Sequence, residues 1–167
     1  MGRKPVIAIV GAGREIEPAV SSALELGRLV ADNGWVLITG ARNAGVMKAA
    51  NDGAKEAKDS LTIGILPYSD ADVSSSVDVA IVTDAGQARN NIIVLSADVV
   101  IACGVDGAGT ASEVALAIKN GKPVILLSVD DQANDFFSGI GRGRVKIAGS
   151  PKEAIEIARV LLQGDST

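Results

Sequence analysis

Residues 97–113 read "ADVVIACGVDGAGTASE": five apolar residues, Val99–Cys103, run straight into a stretch with three glycines and then into small residues that favour helix. A strand with no polar side chain is buried on both faces, the condition of an inner strand in a parallel sheet. The glycines then occupy the turn between that strand and the next helix. Such a turn either makes a tight connection or lets an anion approach the backbone, and the rest of the chain is needed to choose between them.

The same unit recurs on both sides. A strand over 6–10 precedes Gly11-Ala12-Gly13-Arg14 and a helix over 17–33, with small or apolar residues at Val20, Ala23, Leu24, Gly27 and Val30. A strand over 35–39 leads to Gly40-Ala41-Arg42 and a helix over 44–58, whose alanines and glycine demand close packing on a sheet, another helix or a second copy. Strands follow over 61–66 and 77–82, separated by a polar, Ser/Asp-rich loop over 67–76 that reads as mobile. A short helix over 87–96, the strand 99–103, a helix over 111–120 and strands over 124–128 and 144–148 complete the alternation. Ser150, Pro151 and Glu153 supply the N-cap, first-turn proline and N3 glutamate of a last helix, and residues after about 163 read as a frayed tail. Strands alternating with helices at this spacing predict a doubly wound, Rossmann-type α/β domain over 1–167. Its sheet has six to seven mostly parallel strands, with helices on both faces.

Composition agrees. Aromatic residues make up 2% of the 167, so the core is built from β-branched and small residues rather than the large side chains of many sandwiches. The net charge of −4 provides no clustered basic face for nucleic acid or an anionic membrane, and no apolar stretch has the length of a membrane span. With no signal segment at its start, the chain is expected in the cytoplasm. It has no histidine and one cysteine, Cys103, which excludes His-based triads, the usual zinc sets and an internal disulfide. Cys103, inside an apolar strand, reads as a small core residue.

In a doubly wound sheet ligands sit beyond the carboxyl ends of the strands. The loop Gly11-Ala12-Gly13-Arg14 lacks the third glycine of a dinucleotide fingerprint, because Ile16 stands there, and the second strand ends on Thr39-Gly40 with no acid for a ribose. Gly104 and Gly109 have phosphate-loop spacing, but Thr110 replaces the lysine. What remains is Gly107, Ala108, Gly109 and Thr110 leading into a helix N-terminus, whose free amides and dipole suit an anion. Thr110 and Glu113 also fit a capping box, which is the structural alternative for that glutamate. Arg14, Arg42 and Arg89 all follow strands and should meet at one rim, and arginine's planar fork suits oxyanions. Arg142 and Arg144 either add to that basic rim or form a basic loop without a ligand. Asp84 and Asp106 also follow strands and would suit a hard cation, while Ser74-Ser75-Ser76 reads as solvent-facing chain.

The stretches "ITGARNAGVMKAA", "QARNN" and "DGAGTASEVALA" resemble the Lonely-guy or lysine-decarboxylase-like superfamily, over nearly the whole chain. Its phosphoribohydrolases release a base from a nucleoside monophosphate, and their signature is Pro-Gly-Gly-x-Gly-Thr-x-x-Glu with an Arg-Lys pair on the preceding helix. Gly107, Gly109, Thr110, Glu113 and Arg89 match it; Val105, Asp106 and Asn90 depart from it, and Gln87 stands where histidine is frequent. The chain looks most similar to the molybdenum cofactor carrier branch, which shares the fold and binds the finished cofactor. That resemblance implies a bound molybdopterin with a phosphate, a flat ring and an oxidised metal dithiolene. Gly107, Ala108, Gly109 and Thr110 would hold one oxyanion, Arg42, Arg89 and Asn90 would pair with charge, and Gly11, Ala12, Gly13 and Arg14 would flank the pterin with Gly40 and Ala41. It further implies a homodimer or homotetramer, with molybdenum enzymes or cofactor-building proteins as partners. The alternative reading within the superfamily is hydrolysis of a nucleoside 5'-monophosphate, with Glu113 and Arg89 as the catalytic pair.

Overall fold

The computed structural model describes residues 2–164. The frayed tail expected after residue 163 lies, but for Gly164, outside them. Seven strands form one sheet in the order β4-β3-β2-β1-β5-β6-β7, every neighbouring pair parallel. They are β1 (Val6–Gly11), β2 (Val36–Thr39), β3 (Leu61–Leu66), β4 (Val79–Val82), β5 (Val99–Cys103), β6 (Val124–Leu127) and β7 (Val145–Ala148). The helices are α1 (Ala19–Asp32), α2 (Gly45–Lys55), α3 (Arg89–Ser96), α4 (Ala108–Lys119), α5 (Asp131–Gly141) and α6 (Pro151–Gly164). This is a doubly wound Rossmann-like α/β fold. No helix among the described residues is long and apolar enough to cross a membrane.

Burial follows the pleat. Ile7, Ile9, Leu37, Ile101 and Ile125 point to one face, under α1, α2 and α6; Ala8, Val10, Ile65, Val100 and Leu126 point to the other, under α3, α4 and α5. The alanine-rich α2 packs against α1 of the same chain and, on its inner side, against β1 and β2. The α1 and α2 backbones all but touch: a Cβ at Gly27 would lie 1.9 Å from the Ala50 carbonyl oxygen, and one at Gly53 the same distance from that of Leu24.

Four sequence expectations are corrected. The helix expected over 111–120 begins at Ala108, because glycines in a first turn have room there: a Cβ at Gly107 or Gly109 would meet nothing within 4 Å. The segment 131–141, read without secondary structure, is α5, capped by Asp130, whose carboxylate accepts from the Ala133 N–H at 2.8 Å. The loop over 67–76 is tied down rather than loose: Val73 bridges Arg42 and the Ser74 N–H donates to the Ala41 carbonyl. Ser74 is accordingly buried, while the Ser76 hydroxyl donates to Asp52 at 2.6 Å. At α6 the expected start holds: Pro151 is the first helical residue, the Ser150 hydroxyl accepts from the Glu153 N–H, and the Glu153 carboxylate accepts from the Gly149 N–H.

Candidate functional site

The chain leaves β1 toward β2, β3 and β4, then crosses back to lay β5 on the other side of β1. The crevice above β1 and β5 is the topological switch point, where this fold binds ligands. A cleft of about 400 Å³ opens there, beyond the strands' carboxyl ends. It brings together Gly11, Ala12, Gly13 and Arg14 after β1, Gly40 and Arg42 after β2, Arg89 and Asn90 at the start of α3, and Gly107, Gly109, Thr110 and Glu113 at the start of α4. Ala41 and Ala108 lie beside the cleft without lining it; buried Ala41, at φ 63°, instead shapes the loop that carries Arg42. Arg142 and Arg144 are remote from it, at the C-terminus of α5 and before β7. Asp84 does not line it; Asp106 does. No group of three or more potential metal ligands occurs among the described residues.

Met47 and Gln87 also line the cleft. Neither was singled out as a site residue, although Met47 lies two residues past Gly45, at the ligand-side end of α2, where a side chain naturally reaches the crevice. Close packing around the arginines explains the glycines opposite them. A Cβ at Gly40 would lie 2.2 Å from Arg89 Nη1 and 2.8 Å from Met47 Sδ; one at Gly13 would lie 3.0 Å from Arg42 Nη1.

The Thr110–Glu113 capping box does not form. Gly107 is the N-cap, no side chain caps the helix, and Glu113 lies past the first turn. The leading N–H groups of α4 therefore have no intrahelical acceptor and stand at the rim of the cleft. Arg89 donates from Nη1 to the Ile65 carbonyl at 2.9 Å, while its Nε is buried without a hydrogen-bond partner. Burial lowers its pKa from the ordinary arginine value; Glu113 acts against that shift, and Arg42 adds to it. Arg14 donates to the Asp106 carbonyl at 3.2 Å, which fixes the β1–α1 loop against the β5–α4 loop. Cys103, fully buried at the end of β5, has its thiol pushed up to about 12 by burial, so it offers no thiolate.

Glu113 is 8% exposed, and burial pushes its carboxyl up to about 7 against the pull of Arg89. An unfolded glutamate titrates near 4.3. Between these values the native state holds a proton that the unfolded chain has lost, so stability falls as pH rises through this window and levels off above about 7. Chemical denaturation of wild type and Glu113→Gln at pH 5 and pH 8 should show wild type losing about 3 kcal/mol more than the variant over that rise. Parallel losses would mean that Glu113 is ionised in the folded chain throughout.

Residues 4–155 match the sequence profile of the SLOG cluster4 family. The chain belongs to that family. The molybdenum cofactor binding protein of the phototrophic bacterium Rippkaea orientalis is 52% identical, the match covering 96% of this chain and 98% of that one with a TM-score of 0.91. The molybdenum cofactor carrier protein of Chlamydomonas reinhardtii is 44% identical over 96% of this chain and 99% of its own, with a TM-score of 0.90. An uncharacterized protein of Archaeoglobus fulgidus is 44% identical over 121 residues, which are 72% of this chain and 78% of that protein. The resemblance to molybdenum cofactor carriers read from the sequence is therefore matched over almost the full chain.

Proposed function

We propose that this SLOG cluster4 protein binds molybdenum cofactor in the cleft above β1 and β5 and carries it unchanged. The observation that carries this reading is the kinship, at 44–52% identity over nearly the whole chain, with proteins named for binding or carrying that cofactor. The chemistry of the cleft supports it. One oxyanion of the ligand takes the free amides of Gly107, Ala108, Gly109 and Thr110, and the unpartnered Arg89 Nε supplies a further donor. Arg42 and Arg14 face the charge at the other end, with Asn90 as a neutral donor. The flat ring lies against the loop from Gly11 to Arg14, Gly40 and the Met47 thioether, where the missing side chains let a plane approach the backbone. A protonated Glu113 places no negative charge beside the anion.

Incubating the purified chain with molybdenum cofactor, removing unbound material and measuring both molybdenum and the oxidised fluorescent pterin tests the proposal. Saturable, equimolar retention of both is expected. Retention of neither rejects it. One observation favours a second reading: a buried carboxyl held near 7 in a cleft beside an arginine is placed to donate a proton in N-glycosidic cleavage. Release of free base from AMP, abolished in Glu113→Gln, would replace the carrier reading with this one.

A further inference from the structure

The β1–α1 loop lines the cleft with Gly11, Gly13 and Arg14 and, one residue further on, lines a second hollow with Glu15 and Glu17. This groove, of about 350 Å³, lies between α1 and α2 toward their N-terminal ends. Its floor is apolar. Val20 and Leu24, one turn apart on α1, meet Ala49 of α2, and Leu24 is 39% exposed although α1 is otherwise amphipathic. Three carboxylates, Glu15, Glu17 and Asp52, line the groove against a single cation, Lys48.

These charges do not balance. Lys48 pairs with Asp52, one turn along α2, and Asp52 also accepts from the Ser76 hydroxyl. Glu15 and Glu17 are left with backbone donors: Glu15 accepts from the Gly45 N–H at 3.1 Å and Glu17 from the Ser21 N–H at 3.2 Å. Among the described residues neither forms an ion pair. A carboxylate has two oxygens that each accept more than one hydrogen bond, so both keep acceptor capacity at the groove's edge. Exposed apolar side chains beside unmatched charge of one sign are complementary to an apolar surface of the opposite charge.

We infer that this groove docks a segment of a partner protein that carries arginine or lysine beside leucine-like side chains. The apolar side chains cover Val20, Leu24 and Ala49, and the basic groups reach Glu15 and Glu17, which no cation of this chain neutralises. The hollow has the volume of a small-molecule pocket, so it seats a few side chains of a segment rather than a flat protein face. A second copy related by a two-fold axis through the groove would set the acidic rim against itself. The groove also shares its supports with the cleft: on α2, Met47 lines the cleft and Lys48 the groove. A Cβ at Gly45 would lie 2.3 Å from the Ala12 carbonyl oxygen and 2.5 Å from the Arg14 nitrogen, so loop and helix are in backbone contact there. A docked segment therefore sits against the loop that forms one wall of the cleft. The inference stands independently of which ligand the cleft takes.

Fluorescence anisotropy with the full chain and a labelled pentapeptide, Leu-Arg-Leu-Arg-Leu, tests it. Binding should saturate, and it should weaken roughly five-fold or more in Glu15→Gln/Glu17→Gln and likewise in Leu24→Ala. Glutamine keeps an oxygen that accepts from the Gly45 and Ser21 N–H groups, so the fold should persist, with an unchanged melting temperature as the check. Asp131→Asn/Asp135→Asn removes the same charge from α5, on the opposite face of the sheet, and should bind as wild type. No saturable binding by wild type overturns the inference, as does full binding by either groove variant. An equal loss in the α5 variant would show diffuse attraction to an acidic protein and overturn it too. A lower sedimentation mass of the groove variants without peptide would put a second copy in the groove, with the same consequence.

Discussion

Arg89→Ala lowers the retention of molybdenum cofactor at least ten-fold while the protein stays folded. The side chain makes one hydrogen bond within the protein and leaves one buried donor over. Its Nη1 donates to the Ile65 carbonyl at the end of β3, and its Nε is buried with no acceptor in the protein. A buried donor without a partner is costly, so a ligand oxyanion that reaches Nε gains a charge-assisted hydrogen bond and also relieves that cost. Such a bond contributes about 1.5 to 3 kcal/mol, which corresponds to roughly a ten-fold or greater change in affinity. Removing the side chain also frees the Ile65 carbonyl, a loss of about 1 kcal/mol in stability that thermal unfolding separates from binding. Arg89→Lys sharpens the test: it keeps the charge but has neither the planar fork nor Nε, so it should recover only part of the retention. Full retention in Arg89→Ala would mean that the oxyanion sits elsewhere in the cleft.

What could be read from the sequence follows from the range of the forces involved. Buried parallel strands are written in short runs of β-branched residues, so β1, β5 and β6 and the alternation around them were legible, and with them the crevice where the glycine turns and arginines meet. The start of α4 was misplaced because glycine usually ends a helix. Here Gly109 lies within the first turn, in open space at the rim of the cleft, where no packing penalises it. That shift alone moves Glu113 from a presumed capping residue to a buried carboxyl of the cleft. α5 escaped notice because Asp, Asn, Ser and Gly, weak helix formers, make up six of its 11 residues; its clearest local signal was the Asp130 cap, and the burial of Phe137 depends on β7, which comes later in the chain. Met47, in the first turn of α2, reaches the cleft from a position that the end of β2 marks in the sequence, whereas Gln87 reaches it from a single 3-10 turn, Gly86–Ala88, ahead of α3, which the sequence reading merged into that helix. Ser74 is buried because a distant loop, at Ala41 and Arg42, closes over its segment.

The largest effect on stability should come from a single methyl group, in Gly27→Ala or Gly53→Ala. Neither glycine has a positive φ, so alanine would ordinarily stabilise a helix at such a position by about 0.5 to 1 kcal/mol. The contact between α1 and α2 reverses that expectation. Each added Cβ would lie 1.9 Å from a backbone carbonyl oxygen of the facing helix, Ala50 for Gly27 and Leu24 for Gly53. Backbone cannot rotate away as a side chain can, so the helices must separate. Val46, Ala50 and Ala54 of α2 and Ala23, Leu26 and Val30 of α1, all buried in one cluster, would then lose contact together. Overpacking of this kind costs about 1 to 3 kcal/mol, and with no flexible group to yield the upper end is expected. For a chain of this length that is a fall in Tm of roughly 6 to 12 °C. The outward-facing Gly139→Ala on α5, where a Cβ would meet nothing within 4 Å, is the matched control and should be neutral or slightly stabilising. Equal melting temperatures for Gly27→Ala, Gly53→Ala and Gly139→Ala would show that α1 and α2 are not in backbone contact in solution. Because α2 also carries Met47 into the cleft, separating it from α1 should weaken ligand retention as well, although neither glycine is near the ligand.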